Sequence, residues 1–265
     1  MPVSFEPQND LERSLMKAAT DPAHRPQFYR DFMASEIFFI QHGERPPDQH
    51  RQVILDKNKE IQVRGIEHKG KRHVPIFSSL ERARAVLTGE ATCVGVNALD
   101  LLRIFGGAPL LLNPGSDYGK EFTEAEVASI LDGSLWRTTE PYAIQKPTQV
   151  IYGQPKNYPK ELSEALCRLF TTIAEVKRAW LAHLFIPERD ENPHTLIAIE
   201  HNGSWEDIAG QAGIVANAIK VPDPPVEFTE VNAKTKNKGG LEDYFLNGLQ
   251  PFYKKKRLFG IFGRM

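Results

Sequence analysis

Apolar and polar positions alternate most legibly between residues 109 and 133. Leu110, Leu111 and Leu112 form a short apolar run bounded by breakers, the pattern of a strand buried on both faces. Asn113-Pro114-Gly115 stops it, because proline lacks the ladder N–H and glycine permits a sharp turn. Thr123 and Glu126 then stand at the spacing of a capping box, flanked by Phe122 and Val127 as a hydrophobic staple. Val127, Ile130 and Leu131 give the next helix one apolar face, and Gly133 is placed to end it in the left-handed conformation. Strand, polar loop and helix in that order also describe a phosphate loop, but the spacing departs from one. A P-loop has four residues between its glycines and a hydroxyl residue after its lysine. Here three residues separate Gly115 from Gly119, and Lys120 is followed by Glu121, whose carboxylate repels phosphate. The segment reads first as a structural connection. Its polar residues Asn113, Ser116, Asp117, Tyr118 and Lys120 also stand as a recognition loop for a protein or a small anion.

The same patterning divides the rest of the chain. Asn9 or Asp10 caps a first helix carrying Leu11, Leu15 and Ala18-Ala19, and Asp21-Pro22 starts a second with Phe28, Phe32 and Met33 on one face. Residues 37–40 read as a buried strand and 41–50 as a loop. Ile61, Val63, Gly65-Ile66 and then residues 74–77 read as a hairpin about Lys69-Gly70-Lys71. Ser78 and Glu81 repeat the capping-box spacing and open a helix through Val86-Leu87 that Gly89 ends. A strand over 92–96 and a helix over 97–105 lead into the Leu110 strand. Helices alternating with short apolar strands predict a layered α/β domain over residues 1–140. Residues 134–147 are weakly periodic and contain Pro141 and Pro147, the signature of a linker. Over 145–250 the pattern restarts with strand 150–152, helix 159–173, strands 176–186 and 195–200, a helix capped by Ser204, and strand 226–231. That βαββαβ order predicts a ferredoxin-like second domain, so the fold class is α/β (α+β).

Composition narrows the function classes. A chain of 265 residues, 41% hydrophobic and 25% charged, suits a soluble protein of one large or two ordinary domains. A formal net charge of −1 gives no general pull toward nucleic acid, and no specific nucleic-acid partner is expected. The first residues show no basic-then-apolar leader and no apolar run reaches membrane-spanning length, so the expected location is cytoplasmic. Cys93 and Cys167 lie far apart in apolar surroundings and read as buried thiols. His68 and His73 flank the Lys69-Gly70 turn without a third ligand at metal spacing, so they read as solvated hairpin histidines. His201 and Ser204 are close in sequence, but no G-x-S-x-G elbow is present, and a turn at Asn202-Gly203 with Ser204 as helix cap explains them. No catalytic residue, cofactor or metal is assigned.

Several segments carry a resemblance. Residues 18–26 (Ala-Ala-Thr-Asp-Pro-Ala-His-Arg-Pro), Ile76-Phe77-Ser78-Ser79-Leu80, Gly119-Lys120-Glu121-Phe122, Val176-Lys177-Arg178-Ala179-Trp180, Leu196-Ile197-Ala198-Ile199-Glu200 and Pro251-Phe252-Tyr253 resemble the SseB, or enhanced-serine-sensitivity, family of proteobacteria. The likeness runs from about residue 9 to about residue 253 and covers both family domains. It implies a cytoplasmic two-domain protein, named for a serine-sensitivity phenotype, and it carries no active-site residue across.

The C-terminal segment, residues 251–265, differs from the body. Lys254, Lys255, Lys256, Arg257 and Arg264 place five positive charges and no acidic one in residues 254–265, leaving −6 on the rest of a chain whose total is −1. With Leu258, Phe259 and Phe262 beside them, they predict a tail that docks on an acidic protein face or makes weak contact with an anionic membrane. The alternative is a solvated tail, or one folded back on the acidic body. Two intact-looking domains without a catalytic set predict a non-enzymatic adaptor or regulatory protein with a protein partner. The alternative is a small-molecule sensor or an enzyme using residues 113–120.

Overall fold

A computed structural model of the chain describes residues 5–42, 63–87, 91–137, 149–233 and 240–256. The chain divides into two compact units, Met1–Leu135 and Trp136–Met265, and its class is α/β.

The first unit opens with helix α1 (Asp10–Thr20), capped by Asn9, whose side chain accepts the Glu12 N–H at 2.9 Å. A 3-10 turn at Pro22–His24 leads into α2 (Arg25–Ala34). Then come β1 (Glu36–His42), β2 (Ile66–His68), β3 (Lys71–Phe77), α3 (Leu80–Ala85), β4 (Ala91–Asn97) and α4 (Ala98–Ile104). β5 (Leu110–Leu112), β6 (Lys120–Phe122) and α5 (Glu124–Leu131) complete the unit. The sheet runs β4-β1-β3-β5-β6, with β2 also on β3; β3 and β5 pair parallel and the other described pairs are antiparallel. The β2–β3 hairpin turns through Lys69 and Gly70, both at positive φ (50° and 74°), the geometry that matches strand twist. Pro75 is tolerated inside β3 for a specific reason. Val74 N–H donates to Pro109 O and Ile76 O accepts from Asn113 N–H, so the Pro75 nitrogen faces the other edge, between the stretches that pair with β2 and β1. Ile37 and Phe39 of β1 are fully buried, while Ile40 packs with Phe77 and with Ala83 of α3. Phe28, Phe32 and Phe122 stack across the α2 side, Phe32 to Phe122 at 4.6 Å.

Local expectations changed where tertiary partners intervened. The cap of α3 is Ser79, which accepts the Arg82 N–H at 3.2 Å; Ser78 is buried and bonded elsewhere. α3 ends at Ala85, short of Leu87, and Gly89 lies outside the described residues. β1 runs on through Gln41 and His42, into the expected loop, whose remainder at 43–50 is outside the described residues. β6 falls within a stretch expected to be a loop. Thr123 caps α5 as expected, accepting the Glu126 N–H at 3.2 Å, and Gly133 takes a positive φ of 77°. The Glu126 carboxylate, however, turns to the Tyr29 hydroxyl and to Lys120 instead of closing a capping box. Leu131 is exposed, unlike Val127 and Ile130.

The second unit contains β7 (Ile151–Gly153), α6 (Lys160–Thr172), β8 (Val176–Phe185), β9 (His194–His201), α7 (Trp205–Ala216), β10 (Val226–Glu230) and β11 (Tyr253–Lys254). The expected order of elements is present, but the pairing is not ferredoxin-like. A split-βαβ sheet separates the two strands of each crossover by an inserted strand. Here β7 lies directly against β8, antiparallel, and β9 lies directly against β10, parallel. The long β8 explains the difference: β9 takes one edge, while β7 pairs with residues 183–185 and β11 with 178–179. The sheet therefore continues through Tyr253 and Lys254, past residue 250 where the domain was expected to end. Trp180, Leu196, Ala198 and Phe245 centre its core. α7 buries Ala209, Gly210 and Ala212, and a Cβ at Gly210 would overlap the Trp136 carbonyl oxygen, so only glycine admits that backbone approach.

Candidate functional site

The site grows from the end of β5. Asn113 adopts φ 50°, a left-handed conformation that asparagine tolerates better than most residues, and its N–H donates to Ile76 O at 2.8 Å. Its side chain turns inward, 2% exposed as a residue. The amide oxygen accepts the Ser78 N–H at 3.0 Å, and the amide nitrogen donates to Ser78 Oγ at 2.8 Å. Ser78 Oγ in turn donates to Glu12 Oε1 at 2.6 Å. The Glu12 side chain is fully buried, and Arg82 grips both its oxygens, Nε to Oε1 at 3.1 Å and Nη2 to Oε2 at 3.0 Å. The Gln8 N–H adds a further bond at 2.8 Å. Burial pushes the Glu12 carboxyl up, but the bonds from Arg82, Ser78 and Gln8 outweigh it and hold the pKa below its ordinary value. Arg82 also donates to Glu6 O at 2.8 Å and lies 3.9 Å over the Phe5 ring, which packs edge-on against Tyr118 at 5.1 Å. Asn9 and Ser79 complete the network, through Ser78 O and Gln8 respectively.

This network holds the 113–117 loop, α3 and the segment before α1 around a cleft of about 270 Å³. Phe77, Ala85 and Val86 give it an apolar side, and Arg82, Ser116 and Asp117 a polar one. Val86 is 46% exposed at its edge. The five expected recognition residues separate into two groups. Ser116 and Asp117 line the cleft, and Asn113 lines it while serving as a buried tie. Tyr118 is engaged with Phe5. Lys120 lies in β6, paired with Glu126 at 2.8 Å and 4.8 Å over the Phe122 ring. Gly119 is explained by packing, since a Cβ there would lie 2.8 Å from Leu112 O. Glu12 and Arg82 were not singled out from the sequence; Ser78 was expected only as a helix cap and Val86 only as part of the helix it opens.

Two family models match the chain: the SseB protein N-terminal domain over residues 11–129 and the SseB protein C-terminal domain over 144–255. The chain belongs to the SseB family. It is 29% identical over 252 residues to "Protein SseB" of Escherichia coli (strain K12), covering 95% of this chain and 94% of that protein; the same figures hold for "Protein SseB" of Shigella flexneri. No solved structure matches it. The cleft falls almost wholly within the part matched by the SseB N-terminal domain, with Phe5 just ahead of it.

Other sequence-derived candidates are accounted for by structural bonds in this SseB-family chain. The His73 side chain is fully buried, contrary to a solvated hairpin histidine, and Glu121 lies 3.1 Å from its Nε2. Lys69 first and His73 second hold the Glu121 carboxyl below its ordinary value. Ser204 caps α7 by accepting the Asp207 N–H at 3.3 Å, and His201 Nδ1 meets Gly203 O at 3.1 Å. Both cysteines are free and half-buried, and burial pushes both thiols up. Among the described residues, no group of three or more His, Cys, Asp or Glu is disposed to hold a metal ion, and no helix is long and apolar enough to cross a membrane.

The SseB C-terminal domain holds the second polar cluster. His194 is 2% exposed, with Nε2 3.2 Å from Glu227 and Nδ1 3.5 Å from Asp190. Arg189 bridges Asp190 and Glu227, and Asp190 accepts the Ile186 N–H at 2.7 Å. Of the expected docking tail, Lys254 lies in β11, and Lys255 donates its ammonium to Ala174 O just past the end of α6, where a cation is favoured. Lys256 is exposed; Arg257, Leu258, Phe259 and Phe262 lie outside the described residues.

Proposed function

We propose that this SseB-family chain is a non-enzymatic cytoplasmic adaptor, with the cleft between the 113–117 loop and α3 receiving a short segment of a partner protein. Its pathway touches the handling of serine or related amino acids, following the family's name. The supporting observation is that the polar side chains behind the cleft are already engaged in holding it open. Both Glu12 oxygens, the Ser78 hydroxyl, and Arg82 Nε and Nη2 take part in that network. No nucleophile with an oriented base faces the cleft among the described residues, whereas covalent acyl transfer needs one. What remains accessible is an apolar edge at Val86 and a carboxylate at Asp117, the features of a recognition surface.

A photo-crosslinking side chain placed at Val86 or Asp117 in cells should give discrete adducts. The same group at Ala125, exposed on α5, should not. Equal labelling from all three positions would defeat the adaptor reading. A second reading, a small-molecule sensor, rests on the cleft volume, which approaches the roughly 300 Å³ at which small-molecule sites begin. Thermal-shift screening against amino acids, nucleotides and metals separates the two, because a ligand at 100 times its Kd stabilises by about 2.7 kcal/mol.

A further inference from the structure

The open edge of β4 carries an observation independent of the cleft. Among the described residues β4 pairs with β1 alone, which makes it an edge strand of the first unit's sheet. Its sequence, Ala91-Thr92-Cys93-Val94-Gly95-Val96-Asn97, contains no charge and no proline. Those are the devices with which exposed edges ordinarily block pairing by another chain. Six of the seven residues are half-buried, although their partners Ile37 and Phe39 on β1 are fully buried. β4 thus has the composition of an interior strand and the position of an edge.

The charges beside it are arranged symmetrically. Register places Cys93 and Gly95 on the same face as Ile40 and Phe38, the face covered by α3. A Cβ at Gly95 would lie 2.7 Å from Glu36 Oε1, so the Glu36 carboxylate reaches over Gly95 on that face. Ala83 and Leu87 pack on this face in one cluster with Cys93, which brings α3 and its Arg84 to the β4 side of the sheet; there burial pushes the Cys93 thiol up and the Arg84 guanidinium pulls it down. Glu36 and Arg84 are both exposed. One stands one residue beyond Val94 along the strand, and the other one residue before it.

We propose that two copies of this chain associate through β4, antiparallel and in register about a two-fold axis at Val94, to form one continuous sheet. An axis perpendicular to the sheet keeps the α3 faces together and sets Cys93 of each copy against Gly95 of the other. Arg84 of each copy then approaches Glu36 of the second, twice by symmetry. A second copy is the occupant favoured here because the edge complements itself, apolar against apolar and cation against anion. A foreign strand would need to bring that pattern with it.

Sedimentation velocity of the full chain, from about 1 to about 200 µM to span weak homodimers, should show a mass rising from 29.9 kDa toward twice that value. Arg84→Glu alone and Glu36→Arg alone each set like charges together at both contacts and should weaken association by roughly tenfold or more. An equimolar mixture of the two variants restores both opposite-charge contacts and should recover wild-type association. A general surface or folding effect of either variant does not produce that recovery. Unfolding midpoints of these exposed-site variants should match wild type, and amide exchange in β4 of the wild type should slow as concentration rises. A wild-type chain monomeric throughout the range overturns the proposal. So does a dimer whose association is unchanged in the single variants, or a mixture no better than its components.

Discussion

Glu12 in the first unit and Asp190 in the second are both carboxylates withdrawn from water, and the networks that hold them differ in reach. Glu12 is held by Arg82 and Ser78, 70 and 66 residues away, besides the neighbouring Gln8 N–H. Asp190 is held by Arg189, His194 and the Ile186 N–H, all within four residues. The first network ties helix α1 to α3 and to the end of β5. The second closes the connection from β8 to β9 and reaches Glu227 of β10. A long-range network fixes how elements sit together, so the stability of its unit depends on it; a local one fixes a turn. That is why the cleft, framed by the long-range network, is the better candidate site.

Removing the anchor of each network is the strongest way to break this comparison. Glu12→Ala leaves Arg82, 21% exposed, without its carboxylate, takes the acceptor from the Gln8 N–H, and leaves the Ser78 hydroxyl only its longer bond to Asn113 Oδ1 at 3.1 Å. The expected cost is roughly 3 kcal/mol, the lower end for breaking a buried pair because Arg82 keeps some solvent. Asp190→Ala should cost less, about 1–2 kcal/mol, since Arg189 and His194 keep Glu227 while the Ile186 N–H loses its acceptor. Urea unfolding can read the two units separately, because Trp136, Trp180 and Trp205 all lie in the second. Glu12→Ala should move the circular-dichroism transition more than the tryptophan transition, and Asp190→Ala should move the tryptophan signal. Equal shifts of both signals in both variants would remove the distinction.

Acid sharpens the comparison. In Glu227, the hydrogen bond from His194 and then the charges of His194 and Arg189 outweigh burial and hold the carboxyl below its ordinary 4.5. Asp190, pushed up by burial, is brought below 3.8 by its bonds from Arg189 and the Ile186 N–H. A carboxyl lowered in the folded state contributes stability that is fully present above its unfolded pKa and is lost as pH falls through the folded value. Tryptophan-monitored stability should therefore be flat in these groups above about pH 5 and fall below pH 4.5. Glu227→Gln should remove part of that acid dependence; an unaltered acid slope would show that the cluster does not contribute to it.

Short-range signals were the legible ones. Asn9, Thr123, Ser204 and Gly133 were readable as caps because a cap is decided within four residues. The serine pair marks the limit: Ser78 and Ser79 are adjacent, and only the tertiary pull of Glu12 and Asn113 makes Ser79 the cap. β6 was illegible because Lys-Glu-Phe becomes a strand only beside β5. The order of elements in the second unit was readable, but which edge of β8 each neighbour takes is not written in that order. Asp117 and Ser116 were found from their loop, whereas Arg82 and Glu12, being non-local, left no spacing to find. For the reassigned cap, Ser79→Ala should cost about 1 kcal/mol in urea unfolding. A smaller loss than that of Ser204→Ala would show that the cap contributes less to α3 than the Arg82–Glu12 tie and the Ala83 packing do.

The smallest expected effect on stability decides whether the loop recognises anything. Asn113 and Asp117 belong to one turn, but Asn113 satisfies the buried Ser78 N–H, while Asp117 stands exposed at the cleft. Asn113→Ala removes that acceptor and the donor to Ser78 Oγ, and should cost about 2 kcal/mol. Asp117→Ala leaves this network intact and should change stability by less than about 0.5 kcal/mol, the usual range for an exposed position. The same variant should reduce crosslinking from Val86 if the carboxylate contributes to recognition, because the two side chains border one cleft. Unfolding midpoints and crosslinking yields measured on the same preparations separate the roles. Losses of stability as large in Asp117→Ala as in Asn113→Ala would make the whole turn structural. Unchanged crosslinking would remove Asp117 from the recognition surface and leave its apolar edge at Val86.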